Sequence, residues 1–351
     1  MITQNFGNAI KEVQLTAKDF QSSQEVKWCP GCGDYSILAQ MQRVAPTFEV
    51  SKENFVWVSG IGCSSRFPYY MDTYGIHGIH GRATAIATGV KLSNPNLSVW
   101  VATGDGDALS IGGNHFIHTV RRNVGIKIIL FNNKIYGLTK GQYSPTSEQG
   151  KKTKSTPFGS VDYPFNPLRV ALGVGATFVA RSIDREPKHM QDMMKKAAEH
   201  NGTAFLEIYQ NCNIFNDGAY ANLTEKETKA EHVIILEDKQ PLVFGNNKDK
   251  GIVLDGFTPK VVSLADGKYS INDLWVHDEN DLSPVRAFIL TQFTELDDFP
   301  TPLGLFRKEV KPTFEDLVDE QINELKALKK TSTFDEIIGG GNTWTISGNG
   351  K

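Results

Sequence analysis

Cysteine is scarce in this chain, with four among 351 residues, and the sequence has neither a long apolar run nor an excess of one charge. Each scarcity excludes something. The most continuous apolar stretches, such as Ile126 to Phe131, fall far short of the roughly 20 residues that a bilayer crossing needs, so no membrane association is expected. The 37 Lys and Arg against 40 Asp and Glu leave a formal charge of −3, and no Lys/Arg block is long enough for a dedicated nucleic-acid binder. Met1 to Phe20 carries Lys11 and Lys18 among polar residues without an apolar centre; it does not read as a secretory leader, and a cytoplasmic protein is expected. In that reducing compartment, four cysteines that include a close pair point to metal binding or redox work rather than to structural disulfides. What is present is ordinary globular material, 40% hydrophobic and 22% charged, enough for a sizeable core in one large or two moderate domains.

From about residue 54 to residue 212, short β-branched or aromatic runs alternate with longer amphipathic ones. The pattern predicts strands at 54–59, 97–103, 126–131, 176–180 and 203–209, and helices at 82–93, 107–122, 167–172 and 187–200. Such alternation specifies an α/β fold, a doubly wound and mostly parallel sheet covered on both faces. The unusual sequence falls just after strands: Gly60-Ile61-Gly62-Cys63, Gly104-Asp105-Gly106-Asp107, Asn132-Asn133 and Asn211-Cys212. In an open parallel sheet the strand carboxyl ends share one edge and ligands bind there, so these groups are expected to converge on one site.

Beyond residue 213 the texture changes. Residues 224–231 read as a charged helical piece, 233–236, 252–254, 261–264 and 286–293 as short strands, and 314–330 as a charged amphipathic helix. The glycine-rich pieces at 339–342 and 347–350 read as a mobile tail or a segment ordered only against a partner. The expected organisation is a first domain over 1–215, an extension over 216–300, and a charged helix with a flexible tail over 301–351.

Gly104-Asp105-Gly106, followed after 25 residues by Asn132-Asn133, is the most specific constellation. A Gly-rich turn at a strand end lets backbone amides and a helix amino terminus approach a phosphate. Asp105 offers a hard anionic oxygen and Asn133 a neutral one. With the main-chain carbonyl of Ile135 they make an oxygen shell suited to Mg2+ on a diphosphate. A lone Gly-Asp-Gly would be a capped turn; the matched second half points to the ligand. Trp28-Cys29-Pro30-Gly31-Cys32 is less specific alone. A thioredoxin-like dithiol would carry its proline before the second cysteine, and a zinc knuckle remains open, although a zinc ribbon normally presents a second close pair. Cys63 and Cys212 instead stand singly at two strand ends.

Taken together, Trp28-Cys29-Pro30-Gly31-Cys32-Gly33, Gly60-Ile61-Gly62-Cys63, His80-Gly81-Arg82, Gly104-Asp105-Gly106-Asp107 and the run from Asn132 to Gln142 resemble the beta subunit of 2-oxoacid:ferredoxin oxidoreductases. The likeness is strong over roughly residues 20–220 and weak beyond. It implies a fold of the thiamine diphosphate-binding type, with 1–215 as the thiamine diphosphate and iron–sulfur domain. It implies Mg2+ on Asp105, Asn133 and the Ile135 carbonyl, and a 4Fe-4S cluster on Cys29, Cys32, Cys63 and Cys212. Gly62, Cys63, Gly104, Gly106, Asp107 and Thr139 would contact the cofactor, with Thr139 donating to the diphosphate and Asp107 capping a helix or holding water. Decarboxylation of a 2-oxoacid on thiamine leaves an electron-rich product that must lose two electrons, whereas a ferredoxin accepts them singly. Redox-inert zinc could not serve that need.

The stretch from Tyr136 to Gln142 is similar to the 2-oxoglutarate branch of the family rather than to the pyruvate branch. Lys140 and Arg66 would meet the distal carboxylate of a dicarboxylic substrate, unless they are solvated surface charges. His80 resembles a position near the diphosphate or substrate, with a satisfied core histidine as the other reading. The implied activity is CoA-dependent oxidative decarboxylation of 2-oxoglutarate to succinyl-CoA, or the reverse, with pyruvate or a branched-chain 2-oxoacid as the alternative substrate. The carboxylate that the cofactor's aminopyrimidine needs would come from an alpha subunit, in a heterodimer or a dimer of heterodimers. The run Lys151-Lys152-Thr153-Lys154 is a loop or a docking aid for an acidic ferredoxin.

Overall fold

The computed structural model describes residues 15–328, 333–340, 343, 344 and 346. Its strands are β1 (Phe55–Ser59), β2 (Tyr74–His77), β3 (Ser98–Gly104), β4 (Ile126–Asn132), β5 (Phe178–Ile183), β6 (Ala204–Tyr209), β7 (Val233–Leu236), β8 (Val243–Phe244), β9 (Lys250–Asp255), β10 (Thr258–Ser263) and β11 (Thr301–Lys308). The main sheet runs β2-β1-β3-β4-β6-β5-β11-β7, and β10-β9-β8 form a small antiparallel sheet. β1 to β6 are mutually parallel, while β11 pairs antiparallel with β5 and parallel with β7.

Every residue of β1, β4, β5 and β6 is buried, which is why these segments read as nearly unbroken apolar runs. On one face the helices Asp34–Val44 and Pro187–Glu199 cover Trp57, Trp100, Ile129 and Phe131. On the other, Ala83–Ser93, Gly113–Arg121 and Pro167–Gly173 pack against Val58, Val101, Ile128 and Leu130. The mostly parallel, two-sided sheet expected from the sequence is therefore present. Among the described residues no helix is long and apolar enough to cross a membrane.

Several expected elements differ. The helix expected at 107–122 is a π-helical turn, Asp107–Ile111, followed by the helix Gly113–Arg121; the Asp107 side chain is drawn sideways into the neighbouring loops, and such bulges concentrate at functional sites. Residues 286–293, expected as a strand, belong to the helix Val285–Gln292 and its continuation, because a short apolar run cannot by itself distinguish the two. The charged piece at 224–231 divides into two short helices, Ala221–Thr224 and Lys229–His232. β2 escaped notice because all four of its residues are exposed, and β11 because Pro302 and Gly304 read as strand breakers. Residues 314–328 form the expected charged helix; most of the tail, including 341–342 and 347–350, lies outside the described residues.

Candidate cofactor and metal site

The chain leaves β1 toward β2 on one side and β3 toward β4 on the other, so the loops after β1 and β3 part and leave a crevice at the strand carboxyl ends. Asp107 ties this crevice together. Its Oδ1 accepts hydrogen bonds from the amides of Ile61 (3.0 Å) and Gly81 (2.7 Å) and faces His80 Nδ1 at 2.6 Å, while its Oδ2 accepts from the Thr103 hydroxyl at 2.7 Å. A side chain at Gly60 would stand 2.1 Å from Asp107 Oδ2, which accounts for glycine there. The carboxylate thus fixes three loops, and His80 is its half-exposed partner rather than a core histidine.

Asp105, 2% exposed, is held by the hydroxyls of Ser144 (2.5 Å) and Thr146 (2.6 Å), both donating to Oδ2. Burial lifts its carboxyl to about 6, against the pull of those two bonds. At the end of β4, Asn133 accepts the Ile135 amide on Oδ1 (3.1 Å) and donates through Nδ2 to Gln210 Oε1 (2.9 Å). The Tyr136 ring closes over Gly106 so tightly that a Cβ there would lie 2.1 Å away, and the Tyr136 hydroxyl donates to the Gly106 carbonyl at 3.1 Å. Gly62, Cys63, His80, Gly104 to Asp107, Asn133, Ile135 and Thr139 all line one cavity of about 120 Å³. The expected convergence of strand ends is real, and an anionic and a neutral oxygen meet there as a hard cation requires. The Thr139 hydroxyl is paired with the Gln142 side chain.

A second cavity, of about 220 Å³, brings Cys29, Cys32, Cys63 and Cys212 together from three stretches of chain. The Cys32 amide closes a turn on the Cys29 carbonyl (3.0 Å), the Trp28 indole donates to the Cys63 carbonyl (2.7 Å), and the Asn216 amide donates to the Cys212 carbonyl (2.9 Å). All four are free thiols. Burial, with Asp34 adding to it, raises the Cys32 thiol far above its ordinary value and Cys63 to about 12, so a bound metal would have to displace protons. Among the described residues no three His, Cys, Asp or Glu groups form a site for one metal ion. The four thiols nevertheless line one cavity, and four cysteine sulfurs are a donor set that both zinc and an iron–sulfur cluster take.

Cys63, Asn133, Gly137 and Leu138 line both cavities, making a shared wall. Arg66 and Lys140 lie on the cysteine cavity, and Arg66 also faces a cleft of about 570 Å³ with Lys27, Tyr69 and His77. Arg66 Nε donates to the Tyr70 hydroxyl at 3.0 Å. Lys140 does not line the Asp105 cavity. Sequence reasoning passed over Ser144, Thr146, Asp34 and Gln210. The hydroxyl-rich turn Ser144-Pro145-Thr146-Ser147 was a readable signal for the first two, whereas nothing local marks Asp34 or Gln210.

Residues 56–208 match the family described as thiamine pyrophosphate enzyme, C-terminal TPP binding domain. The chain is 49% identical to the 2-oxoglutarate oxidoreductase subunit KorB of Mycobacterium tuberculosis over 98% of its own length and 92% of the relative's. It is 46% identical to the 2-oxoacid:ferredoxin oxidoreductase 1 subunit beta of Aeropyrum pernix, over 54% of this chain and 60% of that one. Among solved structures, a 2-oxoglutarate:ferredoxin oxidoreductase from Magnetococcus marinus, with 2-oxoglutarate, coenzyme A and succinyl-CoA bound, superposes with a TM-score of 0.75 at 32% identity. That match covers 95% of this chain and 98% of the other.

Proposed function

The chain belongs to the beta subunits of the 2-oxoacid:ferredoxin oxidoreductases, and from that premise we propose that it is the cofactor-carrying half of a cytoplasmic enzyme acting on 2-oxoglutarate. With CoA, the reaction is oxidative decarboxylation to succinyl-CoA, or the reverse carboxylation, with ferredoxin as the electron carrier. The observation that carries this reading is the wall common to the oxygen-lined and thiol-lined cavities.

Asp105, the Asn133 side-chain oxygen and the Ile135 carbonyl would hold Mg2+ on the diphosphate; the four cysteines would hold a 4Fe-4S cluster. Bound there, thiamine diphosphate would supply an electron sink for decarboxylation and a 4Fe-4S cluster a one-electron carrier. The residues' own part is positional. Asp107 fixes the Ile61 and Gly81 amides and orients His80 along the crevice. Gly62, Gly104, Gly106 and Thr139 shape the cofactor cavity. Arg66 and Lys140 bring cations toward the substrate's distal carboxylate, with Arg66 the better placed because it faces the open cleft, which shares Ile61, Gly62 and Leu138 with the cofactor cavity. The carboxylate against the aminopyrimidine comes from the alpha subunit.

The test is anaerobic purification with the alpha subunit, followed by iron and zinc analysis and CoA-dependent ferredoxin reduction with each 2-oxoacid. Iron and a preference for 2-oxoglutarate are expected. Zinc without iron would overturn the cluster assignment, and a preference for pyruvate the substrate assignment. Arg66→Ala and Lys140→Ala should each raise KM for 2-oxoglutarate by about tenfold or more, as loss of a charged contact does, while sparing residual pyruvate turnover.

A further inference from the structure

Gln210 stands between the two cofactor sites and is committed to both. It follows β6, where the parallel register pairs Tyr209 with Asn132, so it emerges beside Asn133. Its own amide donates to the Asn132 carbonyl at 3.0 Å, and its side chain is 1% exposed. Nε2 donates to the Asn211 carbonyl at 2.5 Å and to Cys32 Sγ at 3.3 Å, while Oε1 accepts from Asn133 Nδ2 at 2.9 Å.

These contacts fix both amide orientations by hydrogen-bond logic. A backbone carbonyl can only accept, so the edge of Gln210 that meets Asn211 is its NH2. The opposite edge is then the carbonyl, and the Asn133 group that meets it must be the NH2. The Asn133 oxygen is thereby turned away from Gln210, onto the Ile135 amide at 3.1 Å. The Ile135 amide, which can only donate, holds that oxygen on one side and Gln210 holds the NH2 on the other, so a flip that presents NH2 to a cation forfeits two hydrogen bonds, and loss of Gln210 leaves the orientation to the Ile135 amide alone. At the other end, an N–H directed at a cysteine sulfur stabilises negative charge on that sulfur, and hydrogen bonds to the sulfurs are among the determinants of iron–sulfur reduction potentials.

We propose that Gln210 is a positioning residue shared by the two sites: it sets the Asn133 oxygen for Mg2+–diphosphate binding and raises the potential of the cluster through its hydrogen bond to Cys32. This rests on the thiamine and iron–sulfur reading above. It goes further by assigning a joint role to a residue outside both ligand sets, and it predicts that one substitution disturbs two separable properties.

The experiment compares Gln210→Met and Gln210→Glu with the wild type, each purified anaerobically with the alpha subunit. The readouts are iron content, the cluster midpoint potential from an EPR-monitored titration, and Mg2+-dependent thiamine diphosphate affinity. Gln210→Met fills the same volume without polar groups; it should lower the potential and weaken cofactor binding by about tenfold or more, the usual cost of losing such a support. Gln210→Glu keeps an acceptor for Asn133 but has no N–H for Cys32, so its potential should also fall while cofactor affinity stays closer to wild type than in the Met variant. A wild type without iron overturns the cluster reading and the sulfur half of the proposal with it. With iron in place, an unmoved potential in both variants overturns the sulfur role alone, and unchanged cofactor affinity in Gln210→Met overturns the positioning role. Equal loss of affinity in both variants would mark Gln210 as a merely structural residue and overturn the proposal.

Discussion

Asp105 sits where a carboxylate is least favoured, 2% exposed, and burial lifts it to about 6 despite the hydroxyls of Ser144 and Thr146 and the backbone amide of Gly106 that support it. A carboxyl that binds its proton more tightly folded than unfolded makes the folded state the more protonated one between its ordinary value near 4 and about 6. Stability of the metal-free chain therefore falls as pH rises through that window, by on the order of 3 kcal/mol for this group. A cation bound at Asp105 must displace the same proton, so affinity for Mg2+ and diphosphate should drop by about tenfold per pH unit below pH 6. Asp105→Asn separates the two effects. Calorimetric melting of the metal-free variant at pH 7 should give a higher midpoint than wild type, and fluorescence titration should find Mg2+-dependent thiamine diphosphate binding abolished. A variant less stable than wild type would mean that the two hydroxyls and the Gly106 amide together outweigh the cost of burying the charge. The position of Asp105 was legible because chemistry at this site depends on residue types at a fixed spacing. Its supporting hydroxyls were less so, because Ser144 and Thr146 act through a loop whose path no periodicity predicts.

Among the elements, β5 and β6 carry a pair that their sequences conceal. Arg181 Nε meets Glu207 Oε2 at 2.6 Å with both side chains fully buried, the guanidinium lying over the rings of Tyr209 and Phe306. Glu207 Oε1 accepts from Asn132 Nδ2 at 2.7 Å, so the pair links β4, β5, β6 and β11 just behind the cofactor edge. Removing one partner leaves the other charge uncompensated. Arg181→Met should destabilise the chain by about 4 kcal/mol, whereas Arg181→Met with Glu207→Met should recover most of that, as buried pairs replaced together usually do. Guanidinium unfolding of the two variants measures the difference, and equal losses would show that hydrogen bonds beyond the pair matter more. The strands themselves were readable from apolar runs, because burial on both faces removes the alternation that would confuse them with exposed strands. The pairing of β6 beside β4 rather than beside β5 alone was not readable, and neither was the helix Val285–Gln292, whose four buried residues look like a strand until their neighbours in space are known.

Over the whole molecule, the thiol set depends on the complete assembly of the sheet. Cys29 and Cys32 precede β1, Cys63 follows it and Cys212 follows β6, and β3 and β4 lie between β1 and β6 in the sheet. The ends are held by contacts between segments remote in sequence, the Gly33 amide on the Asn211 carbonyl (3.1 Å) and Asn213 Nδ2 on the Pro30 carbonyl (2.6 Å). No smaller folded piece brings the four cysteines to one cavity, so a cluster bound there should be linked to global folding rather than to a local loop. Two consequences follow from that linkage. The iron-loaded chain should unfold at higher guanidinium concentration than the metal-free chain under anaerobic conditions. Loss of the cluster's visible absorbance should also coincide with loss of far-UV circular dichroism. Bleaching well before the dichroic change would mean that the segment around Cys29 and Cys32 peels away while the sheet persists, and the site would then be a local clip on a preformed core. The crossing of sequence-distant segments favours the first outcome, since pulling that segment free breaks the Gly33 and Asn213 bonds and exposes the Trp28 indole, buried at 6% exposure against Tyr35 and Tyr70.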